Sequence, residues 1–285
     1  MSHEAVPTLG VALNTVCSGK ATVPQVGTFA QLILVLAIYQ SATSIKRVTT
    51  QALFPDQDRQ QAAYVEAIRR ASAGLEVLSA NIAATREQPL RRSVECHIFF
   101  TLVALLSPRD SLLNQAHCFR TDEETPALQQ DTARWLAQER GEPARRAVLY
   151  AGRLLGSLRE WSSHGYHEPL MILLCTVLLW TYSRMGDEGP ASSSSRGGPE
   201  DADAEPGRII RLDGPATEAD ADWISGRARR RGHLRDVGCI TRPGAGGVIM
   251  DLGIRALSDL RTWAPTQGFA VWLSKLKGRS DAKSD

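Results

Sequence analysis

From Glu142 to Trp161 the chain reads EPARRAVLYAGRLLGSLREW, with apolar residues recurring at spacings of three and four. Ala144, Ala147, Val148, Ala151, Leu154, Leu155 and Leu158 therefore share one helix face, and Arg145, Arg146, Arg153 and Arg159 lie outside it. Pro143 fits the first turn, where its missing amide hydrogen costs nothing. The same period runs from Arg59 to Ala84, with Ala63, Ile68, Leu75, Leu78 and Ile82 among its apolar positions. Thr125 to Arg140 opens with a threonine cap and a proline in its first turn. Thr28 to Gln40, Ser93 to Leu106 and Pro169 to Arg184 are apolar on nearly every side and predict helices buried in a core. Alternating strand patterns with hairpin turns are hard to find, so the pattern predicts an all-α protein.

One break interrupts it. GDEGPASSSSRGGPEDADAEPG, Gly186 to Gly207, is rich in Ser, Gly, Pro and acids and has almost nothing apolar. It cannot bury enough surface to offset its ordering entropy, which predicts a disordered linker over residues 187–207. Residues 1–186 then form a helical domain, and residues 208–285 a C-terminal segment packing on the same core. In that segment RIIRLDGP reads as a short extended piece, followed by a helix around Trp223 and Ile224 and a Gly-rich turn, RPGAGG. The helix VIMDLGIRALSDLRTW comes next, then TQGFAVWLSKLKG with Phe269, Trp272, Leu273 and Leu276 at one-face spacing.

Composition narrows the function classes. In 285 residues, 33 Lys and Arg stand against 31 Asp and Glu, so no bulk attraction to nucleic acid is expected and any charged partner must meet a local cluster. The five cysteines are widely spaced without a Cys-x-x-Cys, which suits reduced thiols. The N-terminus lacks the basic and apolar regions of a secretory signal. Crossing a bilayer takes about 20 apolar residues. Leu170 to Tyr182 is shorter than that, and Val26 to Gln40 is both shorter and interrupted by Gln31. No membrane partner is expected.

Candidate chemistry thins out on inspection. His164, His167 and Glu168 lack the zinc-protease order, and Glu168-Pro169 suits the first turn of a helix. Cys96-His97 and His117-Cys118 are adjacent pairs whose side chains diverge by about 100° on a helix, unlike structural zinc spacings. RPGAGGVIMDLG matches neither the dinucleotide fingerprint nor the lysine-bearing phosphate loop, and no β-α-β context is visible before it. The acid pairs Asp220 and Asp222, and Asp201 and Asp203, lie in polar, exposed-looking segments. No catalytic, cofactor-binding or metal-binding residue is nominated, and no enzyme activity is expected. GRARRRGHLR gathers Arg227, Arg229, Arg230, Arg231 and Arg235. Such a run suits phosphate or import-factor contact; the bland alternative is a solvated helix end.

The order of the blocks carries further. TFAQLILVLAIYQ, ARRAVLYAGRLLGSLR, GYHEPLMILLCTVLLWTYSRMG, RIIRLDGP followed by Trp223-Ile224, and LSDLRTW with GFAVWLSKL stand in that order. Together they resemble the regulatory, or middle homology, region of fungal-specific transcription factors, in the subgroup with N-terminal zinc fingers of the Cys/His type. The resemblance covers most of residues 25–278. It implies an all-α regulatory domain, a nuclear location, and co-regulators or the transcription machinery as partners. It attaches zinc and DNA reading to fingers that this chain lacks and that are expected before residue 1, as in a truncated or partial member. No cofactor is implied for the chain itself. The rival class is an all-α small-molecule sensor, or a helical enzyme with a pocket between its helices.

Overall fold

The computed structural model describes residues 7–18, 26–51, 57–83, 88–115, 125–162, 165–185, 209–227, 230–260 and 264–281. The expected linker at 187–207 lies outside them. The described chain is mostly helical with one small sheet, as the apolar periodicity predicts. It divides into two units, residues 1–106 and 107–285.

The first unit holds α1 (Leu9–Cys17), α2 (Thr28–Gln51), α3 (Gln57–Ala83) and α4 (Gln88–Leu106). Leu34, Val35, Ile38 and Ala42 of α2 are buried, and the helix packs on α3 and α4. Leu75, Leu78 and Ile82 of α3 and Val94, Ile98, Leu102 and Val103 of α4 complete this core. One expectation is corrected here. The second helix is not buried on nearly every side: Phe29, Ile33 and Leu36 are exposed. Nor does its apolar run stop at Gln40. Thr28–Ile45 is an 18-residue window of mean hydropathy 1.4, long and apolar enough to cross a membrane by length and composition, with 22% of it buried.

The second unit is built around α8 (Glu168–Met185), whose residues from Met171 to Thr181 are all buried. The saturation has a simple cause. Helices α5 (Arg109–Gln115), α6 (Thr125–Ala137), α7 (Glu142–Glu160), α10 (Ala245–Asp259) and α11 (Ala264–Asp281) all pack against α8, so no side is left for polar residues. Two of the three buried Thr and Ser hydroxyls inside it are satisfied along the helix, and Thr181 Oγ1 is buried with no hydrogen-bond partner among the described residues. Thr176 Oγ1 donates to Ile172 O at 2.7 Å and Ser183 Oγ to Trp180 O at 2.7 Å. Helix α6 ends three residues earlier than expected. Residues Gln138–Gly141 form a 3-10 turn in which Glu139 and Arg140 adopt positive φ (46° and 58°), which no α-helix allows.

Between α8 and α10 lies a compact β-module. Strands β1 (Ile209–Arg211) and β2 (Arg231–Leu234) are parallel and joined through α9 (Ala219–Ile224), and β3 (Gly238–Cys239) pairs antiparallel with β2. The stretch preceding RPGAGG is therefore a small β-α-β unit, contrary to the sequence reading. Strands of two to four residues are too short to show alternation. RPGAGG itself is a turn, with Gly244 in the left-handed region (φ 81°) as the N-cap of α10. The arginine run is divided: Arg227 comes just after α9, whereas Arg231 opens a strand.

Candidate functional site

The β-module sits on the polar side of α7, and the two are fitted to each other. Leu212 follows β1 and its backbone N–H donates to His233 O at 2.9 Å. It lies so close to Gly152 of α7 that a Cβ added there would stand 2.6 Å from Leu212 Cβ. One turn on, a Cβ at Gly156 would stand 3.0 Å from Asp213 O. Glycines at these two positions let backbone meet helix.

Charged groups lock the contact on both sides of that seam. Arg145 Nε donates to Ile224 O at the end of α9, 2.8 Å away. Burial pushes the Tyr182 phenol of α8 up, while the Arg145 charge acts in the opposite direction. Arg153 Nη2 donates to Asp220 Oδ2, with both side chains about nine-tenths buried (12% and 11% exposed). The same carboxylate accepts from Thr217 N at 3.0 Å and from Thr217 Oγ1 at 2.8 Å. Asp220 is thus a buried, fully engaged acid, contrary to its exposed-looking segment; Asp201 and Asp203 lie outside the described residues. Arg159 donates to Asp236 in the β2–β3 turn, where Asp236 takes a positive φ of 65°. The hydrogen bond from Arg159, followed by the charges of Arg159, Arg235 and Arg255, holds that carboxyl below its ordinary value.

The predicted arginines do not act as one run. Arg229 lies outside the described residues. Arg227 follows α9 and its N–H donates to Asp222 O at 3.1 Å, while Arg230 is half-buried just before β2. Arg231 opens β2 and is exposed, and Arg235 occupies the β2–β3 turn, also exposed. Of the residues read as metal-like, Glu168 starts α8 as expected. It is buried, accepts from Ser162 Oγ at 2.7 Å, and is followed by Pro169 in the first turn. His97 lies beside its own helix backbone, Nδ1 2.6 Å from Ser93 O, and Cys96 is buried. His164, His117 and Cys118 lie outside the described residues. Among the described residues no group of three or more His, Cys, Asp and Glu is gathered as a metal would require.

What sequence reasoning missed is the role of the α7 arginines. It read them as a polar face, whereas three of them hold the β-module. The available signal was Gly152 and Gly156 on that same side.

Among known proteins, the chain is similar to one described as a transcription factor from Gibberella fujikuroi, 22% identical over 196 residues. The match takes in 69% of this chain and 24% of that protein, so the chain spans about a quarter of the relative's length. No family model and no solved structure matches the chain.

Proposed function

We propose that this chain is the regulatory and interaction part of a fungal transcription factor, acting in the nucleus through co-regulator proteins or the transcription machinery. One observation carries the reading. Blocks that resemble that family and lie far apart in the sequence, Arg145, Arg211-Leu212-Asp213 and Trp223-Ile224, meet in the single seam between α7 and the β-module. The distant similarity to a transcription factor supports the same class, with a regulatory and non-enzymatic role. Zinc and base-specific DNA contact are assigned to no residue of this chain. Base readout needs side chains presented to base edges by an element that enters a groove.

The test is a fusion of residues 1–285 to an unrelated sequence-specific DNA-binding domain, assayed on a reporter in fungal cells. Transcription should rise or fall several-fold relative to the DNA-binding domain alone. A soluble, expressed fusion that leaves the reporter unchanged sinks the reading. So does tight, salt-resistant binding of the unfused chain to one particular DNA site.

A further inference from the structure

Helix α2 gives one side to the core of its own unit and the other to solvent. Leu34, Val35, Ile38 and Ala42 are at most 3% exposed, and the helix packs on α1, α3 and α4. Phe29, Ile33 and Leu36 are 67%, 38% and 51% exposed, and Gln40 is exposed as well. These four stand four, three and four residues apart, which on a helix draws a single stripe. The spacing is that of the a and d positions of a helix pair, with Phe29 and Leu36 at d and Ile33 and Gln40 at a. Ala30 and Ala37, at the neighbouring e positions, are small enough to let another helix come close. No Asp, Glu, Lys, Arg or His occurs between Lys20 and Lys46.

We propose that this stripe is a contact between two copies of this chain. The two α2 helices lie parallel about a two-fold axis, with Ile33, Leu36 and Gln40 each opposite its own counterpart. Three features select a second copy. An in-register copy sets Gln40 against Gln40, whose side-chain amides both donate and accept, so each satisfies the other. An apolar partner would bury that amide unpaired. Ile at a with Leu at d is the combination that favours two parallel strands. A charged partner finds no ion to pair with along the stripe, whereas two copies meet there without like-charge repulsion. A bilayer fits less well. To span one, α2 would have to pull Leu34, Val35 and Ile38 out of its own core. To lie on one, it would need the Lys- and Arg-rich polar face of interfacial helices. Three large side chains over about three turns fall short of the ~800 Å² that each partner gives to a standard interface, so the pair should dissociate on dilution. Pairing through α2 does not depend on the transcriptional reading.

Sedimentation velocity of the full chain, from low to high micromolar concentration, tests it. The weight-average mass should climb from that of the 31.1 kDa monomer toward the dimer. Leu36→Lys and Leu36→Glu should each hold the chain at monomer mass, because each sets like charges opposite one another. Mixing the two variants should restore the dimer, since residue 36 meets residue 36. The position is exposed, so the melting temperature of the dilute chain should not change. Should either variant fail to fold, Gln40→Glu supplies the same like-charge test at an exposed site with a side chain of nearly the same shape. Its dimer should be lost at neutral pH and return as the pH falls below the glutamate range. Val271→Lys, at an exposed position on α11, should leave the dimer intact. A chain that stays monomeric throughout, or a dimer that survives both folded Leu36 variants, overturns the proposal. So does failure of the two charged variants to pair when mixed. Monomeric chain that instead floats with phosphatidylcholine vesicles overturns it in favour of a lipid surface.

Discussion

Replacing Gly152 by alanine asks with a change of sign whether the β-module docks on α7. Inside a helix that nothing else touches, alanine is better than glycine by about 0.5–1 kcal/mol, because glycine loses more backbone freedom on folding. At Gly152 the new methyl would stand 2.6 Å from Leu212 Cβ and 2.8 Å from Leu212 O. Neither atom can swing aside, since one is backbone and the other belongs to a fully buried residue. Overpacking of this kind costs about 1–3 kcal/mol. At such short distances the upper part of that range applies, which leaves a net loss of roughly 1–2 kcal/mol. Gly268→Ala in α11 is the control, because nothing lies within 4 Å of a Cβ there. Urea denaturation followed by tryptophan fluorescence reads both variants, and Trp223 reports from inside the module itself. Gly152→Ala should lower the midpoint and Gly268→Ala should hold or raise it. If both variants gain stability, Leu212 is not seated on α7 and the argued seam does not exist.

Two further outcomes follow from the same coordinates. Either Asp220→Asn or Arg153→Met alone should cost about 3–5 kcal/mol, because each strands a buried partner, while Arg153→Met combined with Asp220→Leu should restore most of the loss. Single variants within about 1 kcal/mol of wild type in urea titrations would show that the pair is solvated rather than buried. Glu66, on the surface of α3, has its carboxyl lowered to about 2 by hydrogen bonds from Arg69 and then Arg70. A depressed carboxylate contributes stability above its unfolded value and loses it as pH falls through the folded one, so this contribution should fade between about 4.5 and about 2. An NMR titration of that carboxyl with a midpoint near the ordinary glutamate value would refute the pairing.

The sequence shows the helices more readily than the seam, and the difference is physical. Helix α7 is legible because Ala144, Ala147, Val148, Ala151, Leu154, Leu155 and Leu158 recur at spacings of three and four and are all buried, and α8 because its neighbours leave it no polar side. The seam follows no period. Arg153 looked like a solvent-facing residue because it stands off the apolar stripe, yet its aliphatic stem is covered and its charge meets Asp220, 67 residues away in the chain. Asp220 sits in an acid-rich stretch that a local reading assigns to solvent. The buried pair is invisible until Leu212, Trp223 and the short strands are placed against Gly152 and Gly156. The same limit explains the arginine run. A linear run of basic residues suggested one cluster from Arg227 to Arg235, but strand β2 separates Arg231 at its start from Arg235 beyond its end. Arg227 is spent beside α9, and Arg235 stands in the turn where Asp236 draws in Arg159 from α7. Charge on a surface is set by which elements end side by side. In this chain that outcome depends on two glycines that carry no charge at all.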